Sequence, residues 1–107
     1  MSGIVSVYAT FSDAEEAARI GRTLVEERLA ACANILGRIR SIYRWQGQIE
    51  DGEEVAALFK TRNDRAPALI ARLSELHSYE VPAAIVWPIT EALAEYAAWV
   101  AAETSDT

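Results

Sequence analysis

The stretch RIRSIYRWQGQIE, Arg38–Glu50, decides the fold, because its residues alternate with the period of two that a β-strand requires. One side of the alternation carries Ile39, Ser41, Tyr43 and Trp45, and the other carries Arg38, Arg40, Ile42 and Arg44. Asp51-Gly52, directly after the stretch, is the strongest two-residue hairpin signal in the chain, and Gln46-Gly47 is a weaker one. We therefore predict a turn at Asp51-Gly52, a bulge at Gln46-Gly47 and a returning strand over Glu54–Thr61.

Further strands and helices flank this hairpin on both sides. The predicted strands cover Ile4–Ala9, Ala30–Ile35 and Ala83–Trp87, and the predicted helices run from Ser12 to about Leu29, from Asn63 or Asp64 to about His77, and over Glu91–Glu103. Ser12 and Glu15 have the spacing of a capping box. Gly21 indicates a close approach of the first helix to the sheet, and Gly37 breaks or bulges the second strand. The order β-α-β-β-α-β plus one helix predicts an α+β, ferredoxin-like split βαβ fold.

One face of the predicted sheet lacks a cover. Helices of a ferredoxin-like fold cover one face, whereas the central strands are apolar on both faces. An apolar face left in water would be a large exposed patch, and the strand Arg38–Glu50 would reach about 40 Å, past the body of so small a domain. We therefore expect a partner subunit on this face. Residues 1–107 form a single domain in this interpretation, with a frayed tail at about 104–107.

The composition is acidic, with a net charge of -6 and a pI near 4.7 for 107 residues. Phosphate binding needs clustered positive charge, so this balance argues against nucleic acid and against an anionic membrane as partners. No apolar stretch reaches the ~18 residues of a membrane span, and the N-terminus has no basic region ahead of a long apolar run. A single cysteine, Cys32, excludes an intrachain disulfide. We expect a soluble, cytoplasmic protein.

The only histidine, His77, and the only cysteine, Cys32, are metal-ligand candidates that lie 45 positions apart. A closed zinc site needs four Cys, His or carboxylate ligands, so one chain does not supply it, although symmetry-related copies could combine their ligands at an axis or interface. We interpret His77 first as a residue at the end of a helix, where a partial cation is favourable. We interpret Cys32 first as a small, buried apolar side chain in a strand.

Lys60 is the only lysine in an arginine-rich chain, and it stands at the end of the apolar strand AALFKT. It is either a partly buried ammonium with a specific role or a side chain that snorkels to solvent, and the sequence leaves both readings open. Candidates for core or interface positions are the aromatic residues Tyr43, Trp45, Tyr79, Trp87 and Trp99. The chain contains no G-x-S-x-G, P-loop or G-x-G-x-x-G motif, so the sequence does not predict an enzyme.

Five segments of the chain form a distinctive set: LVEERLAACANI (Leu24–Ile35), SIYRWQGQIED (Ser41–Asp51), LFKT (Leu58–Thr61), HSYEVPAAI (His77–Ile85) and EYAAW (Glu95–Trp99). Together they resemble the CutA family of divalent-cation tolerance proteins. The resemblance follows the family's order and covers nearly the whole chain. It implies a ferredoxin-like subunit, a tight homotrimer with an architecture like that of the PII signalling proteins, and a link to copper and other divalent cations. Ser78 stands where the family usually has a proline after the histidine, which affects the loop around His77 rather than the fold.

The residues and the resemblance together predict a cytoplasmic homotrimer of the CutA type, which binds a copper-like divalent cation weakly, responds to metal ions and holds no tight cofactor. The candidate metal ligands are Cys32, His77 and Glu80, and the candidate cleft or interface residues are Tyr43, Trp45, Lys60, Tyr79 and Trp99. Two alternatives stay open. One is a PII-like signalling module that binds a small ligand in clefts between subunits and acts on a protein partner. The other is an enzyme that uses Lys60, His77 and Glu80 at a subunit interface.

Overall fold

The computed structural model of the protein describes residues 3–106. In chain order the elements are β1 (Ile4–Phe11), α1 (Ala14–Glu26), β2 (Cys32–Trp45), β3 (Gln48–Arg62), a 3-10 turn (Asn63–Arg65), α2 (Ala66–Leu76), β4 (Ala84–Pro88) and α3 (Ala94–Glu103). The strands form one antiparallel sheet in the order β2-β3-β1-β4, which is the ferredoxin-like order. The predicted α+β architecture with an added C-terminal helix is confirmed. Within residues 3–106, no helix is both long enough and apolar enough to cross a membrane.

The hairpin turns at Gln46-Gly47 and not at Asp51-Gly52, so the predicted turn position is wrong. Gln46 and Gly47 both have positive φ, 50° and 81°, as a two-residue type I′ turn requires. A turn at Asp51-Gly52 would set Glu50 directly opposite Glu53, and like charges in that position destabilise a hairpin. Inside β3, the Asp51 carboxylate instead accepts two hydrogen bonds from the Arg40 guanidinium, at 2.9 and 2.7 Å.

The strand β2 is continuous through a bulge and projects beyond the body of the molecule. Its register with β3 shifts between Ile35 and Gly37, and Gly37 has a φ of 114° that favours glycine. The predicted bulge at Gly37 is confirmed, and it joins the two predicted strands into one. The molecule measures 44 × 25 × 21 Å, and its radius of gyration of 14.2 Å exceeds the ~13 Å of a compact chain of this length. The long hairpin accounts for this elongation.

The helices α1 and α2 pack on one face of the sheet and form the main core with it. The largest members of that core are Phe11, Ile20, Leu24, Phe59, Leu69 and Leu73, all of them buried. Gly21 of α1 faces the sheet so closely that a Cβ atom there would lie 3.0 Å from the Cβ atom of Ala33. The close approach predicted at Gly21 is therefore confirmed.

The N-terminus of α1 is capped one residue later than predicted. Asp13 is the N-cap, and its carboxylate accepts a hydrogen bond from the backbone N–H of Glu16 at 2.8 Å. Glu16 in turn accepts hydrogen bonds from the backbone N–H and the hydroxyl of Ser12, at 3.1 and 3.0 Å. The capping pair is thus Asp13 and Glu16 rather than Ser12 and Glu15, because a carboxylate is favoured at the positive end of a helix.

The helix α3 packs across one end of the second sheet face. Val100 is buried there against Ile4 and Ala31. Thr104, the first residue after the helix, is also buried, and its hydroxyl donates a hydrogen bond to the carbonyl oxygen of Val100 at 2.8 Å. Thr104 therefore belongs to the packed structure and not to the frayed tail expected at 104–107. Thr107 lies outside the described residues.

Beyond α3, this second sheet face exposes aromatic and aliphatic side chains. We call it the open face, meaning the sheet face opposite α1 and α2. Exposed apolar residues along it are Tyr43, Trp45, Ile85 and Trp87. Tyr8 is half-buried on the same face and stacks on Trp87, with ring centroids 4.8 Å apart. The sequence-based expectation of an apolar second face is confirmed.

Candidate functional site

His77 follows α2 as its C-cap, and its ring is buried on the helix side of the sheet. The ring stacks on Phe11, with centroids 4.9 Å apart. The backbone N–H of Tyr79 donates to Nδ1 at 3.0 Å, and Nε2 lies 2.8 Å from the carbonyl oxygen of Thr10. Because a carbonyl oxygen only accepts, Nε2 carries the proton and the imidazole is neutral. Both ring nitrogens are occupied, so neither is available to a metal ion in this arrangement.

Glu16 is a buried carboxylate beside His77, and sequence reasoning missed its role. Its Oε2 atom accepts a hydrogen bond from the backbone N–H of Ser78 at 2.8 Å, while Oε1 accepts from Ser12. Burial raises the pKa of Glu16, but the hydrogen bonds from Ser78 and Ser12 outweigh burial and lower the pKa to about 2. The ionised carboxylate thus ties the start of α1 to the loop after α2. The spacing Asp13-x-x-Glu16 is the signal that could have revealed it.

Cys32 and Lys60 are neighbours on the open face, at the end where α3 packs. They stand directly opposite each other in the ladder of β2 and β3. The Lys60 ammonium donates a hydrogen bond to the Asn34 side-chain oxygen at 2.8 Å, and the Cys32 sulfur lies 3.5 Å from the Tyr96 hydroxyl. Burial and the contact with Cys32 raise the pKa of Tyr96 to about 12. Cys32 is only half-buried, so it is not the fully buried strand residue of the first interpretation.

The three predicted metal ligands do not form one site within a chain. Cys32 lies on the open face, in the row of residues that crosses β1 at Ser6, whereas His77 contacts Thr10 from the helix side. The four residue steps from Ser6 to Thr10 amount to ~13 Å along β1, and the opposite faces separate the two side chains further. Glu80 is exposed in the loop after α2. Among residues 3–106, no three His, Cys, Asp or Glu side chains are grouped so that they could hold a metal ion.

A cleft of about 740 Å³ opens between the hairpin and the loop after α2. Residues of both segments and of β1 line it, among them Tyr8, Tyr43, Trp45, Glu54, Tyr79 and Glu80. This volume falls in the range of ~300–1,000 Å³ that small-molecule sites occupy. The structure therefore brings together three of the predicted cleft residues, Tyr43, Trp45 and Tyr79, with Glu80, which was predicted as a metal ligand.

Glu54 is the cleft residue that sequence reasoning missed. The Tyr79 hydroxyl donates a hydrogen bond to Glu54 Oε2 at 2.9 Å, and burial, together with this bond to a carboxylate, raises the pKa of Tyr79. Glu54 pairs with Ile39, which sets it on the same face of the hairpin as Tyr43. The predicted turn at Asp51-Gly52 would have set Glu54 opposite another residue. The turn at Gln46-Gly47, which the sequence signals more weakly, sets the strand register that places Glu54 in the cleft.

Lys60 and Trp99, which were also predicted for the cleft, lie elsewhere. Lys60 belongs to the Cys32 end of the open face, and Trp99 lies on α3 beside Tyr96, with ring centroids 5.7 Å apart. For the same reason, Lys60 is not close to His77 or to the cleft residue Glu80 within one chain. The three residues of the enzyme alternative would therefore need more than one copy of the chain to meet.

The sheet order, the two packed helices and the cleft beside a projecting hairpin define an α+β protein of the ferredoxin-like class. The family model of the CutA1 divalent ion tolerance protein matches residues 5–103. The chain therefore belongs to the CutA1 divalent ion tolerance protein family.

Individual relatives resemble this chain in both sequence and structure. The divalent-cation tolerance protein CutA of Pyrococcus horikoshii is 44% identical over 101 residues, which cover 94% of this chain and 98% of that protein. The crystal structure of CutA from Xylella fastidiosa is similar with a TM-score of 0.92 at 40% identity, covering 96% of this chain and 99% of that one. The CutA of Archaeoglobus fulgidus, described as a periplasmic divalent cation tolerance protein, has a TM-score of 0.91 at 34% identity, with 95% and 99% covered.

Proposed function

We propose that the protein acts in divalent-cation tolerance as a homotrimer that binds a divalent cation weakly and exchangeably. The proposed assembly rests on the exposure of large apolar side chains on the open face, namely Tyr43, Trp45 and Trp87. A patch of this kind on a small domain is typical of a surface that another chain covers. The number of three copies is what the family resemblance implies.

The sheet edges support the same assembly. The outer strands of the sheet are β2 and β4, so each has one side without a neighbouring strand among residues 3–106. An unpaired strand edge is a template for pairing with another chain, and the projecting half of the hairpin extends that edge beyond the body of the molecule. Pairing between copies along these edges would bring the open faces of neighbouring subunits together.

The arrangement of donor atoms supports weak rather than tight cation binding. Cys32 offers a half-buried thiol and Glu80 an exposed carboxylate, at separate places in the chain, while both His77 nitrogens are engaged. Separate donors bind a copper-like cation only with water or with groups of a second subunit. Such a site exchanges its ion readily, which suits a response to changing metal concentration.

Isothermal titration with Cu²⁺ tests this proposal on the wild type and on the variants Cys32→Ala, His77→Ala and Glu80→Gln. We expect binding far weaker than that of a closed site, reduced separately by Cys32→Ala or Glu80→Gln. We expect His77→Ala to act through stability alone. A tight, stoichiometric copper site that Cys32→Ala and His77→Ala each abolish would contradict the proposal, because these residues would then be joint ligands.

The cleft favours a second candidate function, that of a PII-like signalling module. Its volume of about 740 Å³ and its mixed aromatic and acidic lining are suited to a small ligand. In this function a neighbouring subunit completes the cleft, so that the ligand lies between subunits; occupancy of the cleft changes the hairpin and its contacts, and a protein partner senses the change. Untargeted mass spectrometry on protein purified from its own cells, compared with a Tyr43→Ala variant, tests it. A small molecule that co-purifies with the wild type alone is the expected result, and equal small-molecule content in both would contradict it.

We also propose that the protein works in the cytoplasm. The single cysteine, Cys32, is free and half-buried, as is common in a reducing compartment. Cell fractionation with a periplasmic and a cytoplasmic marker is the direct test. Recovery with the periplasmic marker would contradict this localisation.

A further inference from the structure

We propose that the outer face of the projecting hairpin binds an acidic segment of a partner protein. The outer face consists of the hairpin side chains that point away from the open face: Arg38, Arg40, Ile42 and Arg44 of β2, with Ile49, Asp51 and Glu53 of β3. The proposed assembly uses the open face and the strand edges, so it leaves this side of the hairpin uncovered. The proposal rests on the signalling function for the existence of a protein partner, and it adds where that partner binds and what its chemistry is.

The strand register assigns the side chains of the outer face. Arg38 pairs with Val55, which is buried in the core beneath the helices, so every second residue after Arg38 lies on the helix side of the sheet. Ile42 and Ile49 are nevertheless 64% and 59% exposed, because the hairpin projects beyond α1 and α2. The run Ile39–Tyr43 borders the cleft without a gap, and strand alternation turns the Ile42 side chain to the other side.

The acidic residues of the outer face are already balanced by arginines of β2. Arg38 lies 3.8 Å from Glu53, and Arg40 lies 2.7 Å from Asp51. Each arginine reaches diagonally across the hairpin, to the residue that stands opposite the second position further along β2. These two ion pairs order the side chains next to them and leave the face without an unpaired carboxylate.

An apolar pair and an unpaired cation remain on the outer face, nearer the turn. The next diagonal of the same sense joins Ile42 to Ile49, and these two are more exposed than any other large apolar side chain in the described strands. Arg44 stands directly opposite Ile49, is exposed, and forms no ion pair within residues 3–106. The outer face therefore combines apolar surface with an unbalanced positive charge, on a chain whose net charge is -6.

Charge complementarity identifies an acidic segment as the occupant of this face. A carboxylate would pair with the Arg44 guanidinium, which binds carboxylates in a fixed fork geometry, while an apolar side chain would cover Ile42 and Ile49. Ile42 and Arg44 are two residues apart, ~6.6 Å along the strand, which is also the spacing of same-face residues in an extended peptide. A second copy that used the same face would bring like charges together, and nucleic acid would be repelled by the acidic chain as a whole.

A blocked peptide of repeating Val-Ser-Glu-Ser is a suitable probe, because its valines and glutamates share one face when it is extended. Methyl resonances of Ile42 and Ile49 are followed by NMR on the intact assembly, and that of Ile20, which is buried in α1, is the internal control. We expect saturable shifts of Ile42 and Ile49 alone. Binding should be at least about fivefold weaker for the peptide with glutamine in place of glutamate, and it should weaken between about 0.1 and 1 M NaCl as the charges are screened.

Matched variants locate the binding surface. Arg44→Gln should weaken peptide binding about fivefold, whereas Arg22→Gln, which removes the same charge from the exposed side of α1, should leave it unchanged. Ile42→Thr should also weaken binding, since it removes apolar surface and keeps a β-branched residue in the strand. Val25→Thr, a change of similar kind on α1, is its control. All four variants should sediment like the wild type.

Four results would overturn the inference. Equal binding of the glutamine peptide would show that the acidic class is wrong, and equal effects of Arg22→Gln and Arg44→Gln would show that only the general charge matters. Dissociation of the Ile42→Thr variant where the wild type stays assembled would make the outer face a contact between copies. The absence of any saturable shift would show that the face binds no such segment. The copper titration and the co-purification experiment would still decide the proposed functions on their own.

Discussion

The Nε2 atom of His77 donates a hydrogen bond to the backbone carbonyl oxygen of Thr10, 2.8 Å away and 67 positions earlier in the chain. This bond joins the end of α2 to β1, and the Tyr79 N–H completes the use of the ring by donating to Nδ1 at 3.0 Å. The only histidine of the chain therefore links the end of α2, the strand β1 and the loop after α2 through hydrogen bonds at both ring nitrogens.

We expect His77→Ala to lower the free energy of unfolding by about 3 kcal/mol, because it removes a buried ring and leaves the Thr10 carbonyl unpaired. His77→Gln should recover part of the loss, since its amide N–H is able to donate to Thr10. Urea unfolding at one fixed protein concentration measures both, with Cys32→Ala as the control that should cost less. A His77→Ala variant as stable as the wild type would show that this linking role is wrong.

Glu16 should make stability depend on pH in acid. Its pKa is lowered to about 2 in the folded protein, against 4.5 as its ordinary value, so the unfolded chain binds the proton more readily between these values. The stabilisation is complete above about pH 5 and is lost as the pH falls towards 2, for a total of about 3 kcal/mol. Thermal or urea unfolding between pH 7 and pH 2 measures this loss.

The Glu16→Gln variant isolates this contribution. It should be less stable than the wild type at pH 7 by about 1–3 kcal/mol, and its stability should vary less between pH 5 and pH 2. Glu15→Gln, an exposed carboxylate in the same helical turn, is the matched control and should keep the wild-type pH dependence. An unchanged acid dependence in Glu16→Gln would assign the effect to other carboxylates.

Glycine substitutions in the hairpin report the position of its turn. Gly47→Ala should lower stability by about 1 kcal/mol, because φ at Gly47 is 81° and an L-residue is strained there. Gly52→Ala should raise stability slightly, since Gly52 lies inside β3 with no atom within 4 Å of an added Cβ. Denaturant midpoints of the two variants measure the opposite signs. The reverse order would place the turn at Asp51-Gly52 after all.

Trp45 should matter more for assembly than Trp99. Trp45 is exposed on the projecting hairpin, where we propose that a second subunit covers it, and truncation of a large aromatic in a packed site costs ~3–5 kcal/mol. Sedimentation at micromolar concentration should give about three times the chain mass of 11.8 kDa for the wild type. Trp45→Ala should dissociate at lower denaturant than Trp99→Ala. A folded wild-type monomer, or equal dissociation of the two variants, would contradict the proposed interface.

Local patterns were sufficient for the order of the elements and for several of their details. Apolar residues at helical or alternating spacing identified every strand and helix, and single residues with strong conformational preferences identified the bulge at Gly37 and the close approach at Gly21. Their physical basis is short-range, because strand alternation, helix periodicity and glycine φ angles depend on neighbours within a few positions. The cap of α1 was misplaced by one residue because Ser12-x-x-Glu15 and Asp13-x-x-Glu16 offer the same local spacing, and the structure uses the second.

Contacts between distant segments determined the hairpin register and the relative positions of the candidate site residues. The hairpin register depended on which of two turn signals also avoided opposing Glu50 and Glu53, and that register is what brought Glu54 beside Tyr79. The positions of Cys32 and His77 on opposite sides of the sheet followed from the packing of helices on one face only. The sequence by itself thus determined the ferredoxin-like fold and named three residues that line the cleft, Tyr43, Trp45 and Tyr79. Only the tertiary structure decided which candidate residues meet, because contacts between distant segments depend on strand register and face, which no local pattern specifies.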